Sequence, residues 1–291
     1  MRQILILGTK LSRKYFTAPH GIEKQLTSSR AMKWLSAGRT DLGDSSMSPN
    51  KLYFDDLWTK PYTAQICRSI SDTKTEPWSH YHPSYMPNEP KGTSSLSVLD
   101  KDGMAVALTT TINLDFGSML YDTETGIVLN SEMDDFSIPV ARNAYNLEPS
   151  VYNEIAPQKR PLSSCAPTVI LKGGHPELII GASGGSQIVT SIFMSIIKFY
   201  KWGWPLLEVI RSPRLHHQLI PEVVYAESGL PEWVSEGLKL KGHVVCAQSG
   251  GSVVQAIART SVGEILAVSD WWRKDGVSVP ILFSWSIAEQ A

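Results

Sequence analysis

The chain has 291 residues, enough to bury a sizeable core without disulfides or metals, so a small stapled scaffold is excluded. Lys plus Arg number 27 and Asp plus Glu 28, giving a formal net charge of −1; there is no basic field for nucleic acid and no acidic excess to favour disorder. With 42% hydrophobic and 19% charged residues, the composition is that of a globular protein with apolar surface to spare for a partner.

Near the start, the apolar run at residues 4–7 is followed by Lys10, Arg13 and Lys14; it is too short for a signal-peptide core, and no later run is long enough to span a bilayer. Apolar residues at helical intervals predict a helix over 22–37, and a second is expected over 62–70 with Pro61 in its tolerant first turn. Pro77, Pro83, Pro87 and Pro90 forbid regular structure and predict an extended loop over 72–92. The texture then turns to short β-branched runs. Segments 96–99 and 105–113 flank Asp102-Gly103, and 168–172 and 177–182 flank Gly173-Gly174, two hairpin signals that predict an antiparallel sheet.

Over 187–200, Ile188, Ile192 and Ile196 recur every fourth residue beside Val189, Phe193 and Ile197, a broad stripe for packing a helix on that sheet. Helices over 205–211 and 231–241 each open with proline, and Gly242 can end the second. Strands are expected over 223–226, 244–247, 253–258 and 265–268, which makes the whole an α+β layered domain. Cys67, Cys165 and Cys246 are widely spaced without a CxxC pair, so they indicate neither a disulfide framework nor a zinc site. His80 and His82 lack a supporting metal-helix motif and are read as structural, and Trp202, Trp204, Trp271 and Trp272 as packing or interface residues.

Gly92-Thr93-Ser94-Ser95-Leu96-Ser97 joins the proline-rich loop to the first strand, where a threonine alone is an ordinary β-forming choice. Its company changes the reading: Thr109-Thr110-Thr111-Ile112-Asn113, Asn130-Ser131-Glu132-Met133-Asp134-Asp135-Phe136, Lys159-Arg160-Pro161-Leu162-Ser163-Ser164 and Gly181-Ala182-Ser183-Gly184-Gly185-Ser186 follow in that order. Taken together these segments resemble the small catalytic subunit of γ-glutamyltranspeptidase, also called glutathione hydrolase, an N-terminal-nucleophile hydrolase. Residues 31–44 resemble the end of that family's large subunit, and the likeness runs from about Leu26 to about Gly276 through Pro213-Arg214-Leu215-His216, Ser249-Gly250-Gly251-Ser252 and Val268-Ser269-Asp270.

The resemblance implies an αββα sandwich and self-cleavage at Gly92-Thr93, leaving 1–92 as a remnant of the large subunit and 93–291 as the small catalytic subunit. It implies that Thr93 is the nucleophile. A threonine hydroxyl attacks poorly until a base takes its proton, and the freed α-amine, with a pKa of about 7.7 to 8.0, is such a base. Thr111 matches the threonine that steadies the nucleophile, its plain alternative being a cross-strand threonine pair. Glu132 and Asp135, assisted by Asn113, match positions that hold the substrate α-ammonium, although unassisted carboxylates are more often solvated loop charges. Ser163 and Ser164 match the pair that binds the α-carboxylate. Gly184 and Gly185 match an oxyanion hole, where each backbone N–H donor is worth about 3 to 4 kcal/mol in the transition state; a phosphate loop is excluded there by the missing Walker lysine.

The implied substrates are glutathione and other γ-glutamyl compounds, with water, amino acids or dipeptides as acceptors and no cofactor, metal or nucleic acid. Family members enter the secretory route and reside at plasma or vacuolar membranes or outside the cell. Only 92 residues precede Thr93, so most of a large subunit is missing from this chain, together with the family arginine that pairs with the substrate carboxylate. Arg30, Arg39 and Arg68 read as scaffold, and losing that charge-assisted contact costs on the order of 1 to 3 kcal/mol. Residues 1–24 and 277–291 do not resemble the family's usual flanks. A truncated, partner-dependent subunit is therefore the alternative to an active enzyme.

Overall fold

The structure is a computed structural model that describes residues 22–50, 55–57, 59–71, 73–86, 93–139, 144 and 146–279. Gly92, Pro87, Pro90 and both expected foreign termini beyond residue 279 and before residue 22 lie outside the described residues.

Helix α1 (Ile22–Arg39) is buried around its circumference over residues 26–33, including Ser28, Ser29, Arg30 and Lys33. Of these, Ser29 Oγ donates to Leu26 O at 3.0 Å, and Lys33 Nζ donates to Thr75 Oγ1 at 3.1 Å and to Glu76 O at 2.5 Å. Helix α2 (Lys60–Ser69) starts at Thr59, whose hydroxyl accepts from Tyr62 N–H at 3.3 Å, with Pro61 in the first turn as expected. Ile66 and Ile70 from this region pack with Ala31 and Met32 of α1. Within the expected 72–92 loop, a 3-10 turn over Trp78–Tyr81 packs His80 and Tyr81 edge-on against Trp34.

The first hairpin joins β1 (Ser94–Leu99) to β2 (Ala105–Thr110) in register from Ser94 opposite Thr110 to Leu99 opposite Ala105, with Gly103 supplying the positive φ of 89°. It does not share a sheet with the second hairpin, β5 (Thr168–Lys172) and β6 (His175–Ser183), as the two hairpin signals suggested. The second hairpin instead sits at one side of a four-stranded antiparallel sheet ordered β11-β10-β6-β5, completed by β10 (Val253–Arg259) and β11 (Ile265–Ser269).

Side-chain size explains the separation. The less exposed face of the first hairpin carries Ser95, Ser97, Ala107 and Thr109, small enough for it to lie face-on against β6 and β10. Gly181 opens that approach, because a Cβ there would collide with Ser95 Oγ. The other face presents Leu96, Val98, Val106 and Leu108, each 43–48% exposed. This reverses the usual arrangement of apolar-in and polar-out.

The opposite face of the large sheet is covered by α3 (Gln187–Tyr200) and α4 (Leu206–Arg211), where Ile188, Ile192, Ile196, Val209 and Ile210 meet Leu178, Ile180, Val254 and Ala256. The layers are therefore helix, sheet and hairpin. A third sheet holds β7 (Leu215–His216), β8 (Val223–Glu227) and β9 (Val244–Gln248). Its β8–β9 pair is parallel, with α5 (Glu232–Leu240) in the crossover that a parallel pair requires. Pro205 and Pro231 occupy the caps just before α4 and α5, and Gly242, at φ 87°, follows the end of α5 as anticipated. Two short strands, β3 (Tyr121–Asp122) and β4 (Ile127–Val128), and a last turn α6 (Trp271–Lys274) carried no sequence signal.

Candidate active site

Strand β2 ends at Thr110, not at Asn113. One step beyond the Ser94–Thr110 pair, the register of the hairpin leads to Thr93 and Thr111 at its open end. The chain then turns sharply at Asn113, which adopts φ 70°, and Asn113 N–H donates to Thr111 Oγ1 at 2.8 Å. Asparagine tolerates this left-handed backbone because its short polar side chain bonds locally. Asn113 is buried, and its Nδ2 donates to Ser131 O at 3.0 Å; Ser131 Oγ in turn accepts from Leu114 N–H at 3.2 Å.

Ser131 directly precedes the 3-10 turn Glu132–Asp135, so the same contacts bring Thr111 and Asn113 to the acidic pair. Burial raises the Glu132 carboxyl above the ordinary carboxylate range, and its Oε1 is buried without a hydrogen-bond partner among the described residues. Asp135 is more deeply buried; burial, then the negative charge of Glu132, raises it to about 6, while Arg39 at the end of α1 pulls it down. Arg39, taken from the sequence as scaffold, is thus close enough to Asp135 to act on its charge.

The serine pair is reached through Asn153. Its Nδ2 donates to Asp135 O at 2.7 Å and its Oδ1 accepts from Leu162 N–H at 2.8 Å. Ser163 is exposed, its Oγ accepting from Cys165 N–H at 3.0 Å in a local turn. Ser164 points inward, and its buried Oγ has no partner among the described residues. Arg160 ties this loop to the segment after α1, its Nε and Nη2 donating to Asp44 at 3.1 and 2.8 Å. That ion pair and its accompanying hydrogen bonds hold the Asp44 carboxyl well below the ordinary carboxylate range.

Gly184 and Gly185 turn the end of β6 into α3 with φ 123° and 58°. A Cβ on Gly184 would stand 2.7 Å from Ser252 Cα, so only glycine fits this backbone and this neighbour. Ser252 is itself fixed: Arg214 Nη1 donates to its carbonyl at 2.5 Å, and Arg214 Nη2 meets the buried Asp270 carboxylate at 2.6 Å. The Arg214, Ser252 and Asp270 segments, to which sequence reading assigned no chemistry, are the wall behind the glycine pair.

On the other side, Ser186 Oγ donates to Gln218 Oε1 at 2.8 Å, and Gln218 lies 3.0 Å from His216 Nε2. A cavity is lined by Ser186, which follows the glycine pair, by His216 and Gln218, and by Arg39, Ser137, Asn153 and Leu162, the last of which precedes the serine pair. None of Thr93, Thr111, Glu132, Asp135, Ser163 or Ser164 lines it. Strand β1 nevertheless contacts β6 at Ser95 and Gly181, three residues before Gly184.

A hairpin opening on a hydroxyl residue, laid on an antiparallel sheet whose other face carries helices, defines the N-terminal-nucleophile hydrolase fold. Cephalosporin acylase from Bacillus halodurans shares it at a TM-score of 0.72 over 91% of this chain and 47% of that one, with 18% identity, a likeness of fold alone. A γ-glutamyltranspeptidase from Pseudomonas nitroreducens, solved in complex with L-DON, is 36% identical, with a TM-score of 0.57 over 65% of this chain and 99% of that chain. Glutathione hydrolase proenzyme 1 of Schizosaccharomyces pombe is 47% identical over 243 residues, 82% of this chain and 38% of that protein. The sequence profile of the Gamma-glutamyltranspeptidase family matches residues 4–280, and the chain belongs to that family. It spans about two fifths of the length of this curated relative.

Proposed function

We propose that the chain is a γ-glutamyl hydrolase and transferase that cuts itself between Gly92 and Thr93 and then works through a threonyl ester. The observation that carries the reading is a pair of buried polar atoms without partners among the described residues, Glu132 Oε1 and Ser164 Oγ, with one hydrogen-bonded path joining their segments. Each such atom costs about 1 to 3 kcal/mol unless a ligand satisfies it. An α-amino acid head group offers what both need: an ammonium to donate to Glu132 and Asp135, and a carboxylate to accept from Ser164 and Ser163.

In the proposed reaction the freed Thr93 amine takes the hydroxyl proton as Thr93 Oγ attacks the γ-amide carbonyl of glutathione, with Thr111 orienting it. The oxyanion meets the N–H groups of the Gly184-Gly185 turn. The C–N bond then breaks, the proton passes to the leaving amine of cysteinylglycine, and water or an acceptor amine cleaves the γ-glutamyl ester. Asn113 supports the acidic pair. The names borne by the S. pombe and P. nitroreducens proteins agree with this chemistry.

The test is intact mass after incubation of the full chain, with γ-glutamyl-p-nitroanilide turnover. Two chains split before Thr93 are expected, and Thr93→Ala should show neither cleavage nor turnover. An uncleaved wild-type chain, or a Thr93→Ala variant that still hydrolyses the anilide, overturns the reading. The exposed outer face of the β1–β2 hairpin supports a second reading, a subunit competent only beside a separate large-subunit chain. Turnover that appears only on co-expression with such a chain would favour it.

A further inference from the structure

We propose that Asn153 is a positioning residue that sets the distance between the two halves of the head-group site; this rests on the reading of Glu132, Asp135, Ser163 and Ser164 given above. Asn153 is 1% exposed, and both ends of its amide are engaged by backbone from opposite halves. Nδ2 donates to the carbonyl of Asp135 at 2.7 Å, and Oδ1 accepts from the N–H of Leu162, one residue before the serine pair, at 2.8 Å. The orientation of the amide is set by its partners, since a carbonyl can only accept and an N–H can only donate. The carboxamide offers a donor and an acceptor back to back at any pH, which a carboxyl group does only when protonated.

The base of the clamp is also held. Asn153 N–H donates to Ser150 O at 3.1 Å, and its own carbonyl accepts from Ser137 N–H at 2.9 Å. Ser150 Oγ donates to Thr40 O at 3.1 Å, and Gly43 passes so close to Tyr152 that a Cβ there would strike the Tyr152 carbonyl. The segment after α1 therefore anchors the clamp. Asn153 touches neither the acidic side chains nor the serine hydroxyls through these bonds, so it acts on a substrate only through them. An ammonium and a carboxylate on one carbon are a rigid ruler, and binding both at once requires the two subsites to keep their spacing.

The experiment compares the full chain with Asn153→Ala and Asn153→Asp by hydrogen–deuterium exchange and by kinetics on two anilides, L-γ-glutamyl-p-nitroanilide and glutaryl-p-nitroanilide, which lacks the α-amine. In Asn153→Ala, exchange should quicken in both 132–137 and 160–166. In Asn153→Asp, whose ionised carboxylate keeps the acceptor for Leu162 and loses the donor to Asp135, it should quicken chiefly in 132–137, and more as pH rises and the carboxyl ionises. KM for the γ-glutamyl substrate should rise about tenfold with a smaller change in kcat, and the wild-type preference for it over the glutaryl analogue should fall at least tenfold. Equal losses on both substrates, or unchanged exchange in both segments, overturn the proposal. A wild-type chain that does not distinguish the anilides refutes the head-group reading instead, and exchange still decides the clamp. If Asn153→Ala fails to fold, Asn153→Asp carries the same comparison.

Discussion

Replacing Gly184 with alanine perturbs the glycine turn in two separable ways. The backbone at φ 123° lies where L-residues are strained, a cost of about 1 to 3 kcal/mol. The new Cβ would also lie 2.7 Å from Ser252 Cα and 3.2 Å from Ser252 Cβ. The first neighbour is backbone, pinned by Arg214 at 2.5 Å, so the glycine turn must move rather than Ser252. In the proposed mechanism, moving the turn takes its N–H groups off the developing oxyanion, and losing one such donor lowers kcat by about 10²- to 10³-fold. Gly184→Ala should therefore lose about 10²- to 10³-fold in γ-glutamyl-p-nitroanilide hydrolysis while remaining folded by circular dichroism. Adding Ser252→Gly relieves the 3.2 Å contact but not the 2.7 Å one, so the double variant should recover little. A folded Gly184→Ala within about threefold of wild type would show that the turn does not serve the reaction.

Asp135, raised to about 6 by burial and by Glu132, should give kcat/KM an acid limb near that pH, because the ionised form is the one that accepts an ammonium. Arg39→Gln removes the charge that lowers it and should shift the limb upward; an unmoved limb would separate Arg39 from Asp135. The same group affects stability: a carboxyl whose folded pKa exceeds its unfolded value stabilises fully below the unfolded value of 3.8, a contribution lost as pH rises through about 6. Thermal melts of Asp135→Asn should thus gain on wild type between pH 4 and pH 7, and a constant difference would contradict that linkage. Asp270 is wholly buried, with Arg214 Nη2 at 2.6 Å and Arg273 Nη1 at 2.5 Å. Asp270→Asn takes the buried Arg214 out of its ion pair and leaves Arg273 with Glu227 alone, so stability should drop by about 3 to 5 kcal/mol, on the order of 10 °C in Tm. A melt unchanged within error would mean that the network is not what secures the Ser252 wall.

Local chemistry was enough to place most elements. The fourfold spacing of Ile188, Ile192 and Ile196 specifies α3 because a helix returns to the same face in that interval, and Asp102-Gly103 and Gly173-Gly174 mark tight hairpins because they tolerate positive φ. The ordered motifs from Thr93 to Gly185 likewise identified the family. Which sheet a hairpin joins is another matter. The first hairpin lies across the large sheet because Ser95, Ser97 and Gly181 let two backbones approach, a complementarity between strands more than eighty residues apart that neither segment reveals alone.

The same limit applied to the site. Glu132, Asp135, Ser163 and Ser164 stand out in the chain as candidates, but Asn153 carries no sequence signal, Arg39 reads as scaffold and Ser252 as part of a glycine-containing loop. Their importance lies in hydrogen bonds and close contacts to distant segments, and those partners exist only once the chain has folded. Residue order determined the local turns and the chemical inventory; tertiary packing decided the burial that raises Asp135, the bridge from Asp135 to Leu162 and the wall that admits only glycine at position 184.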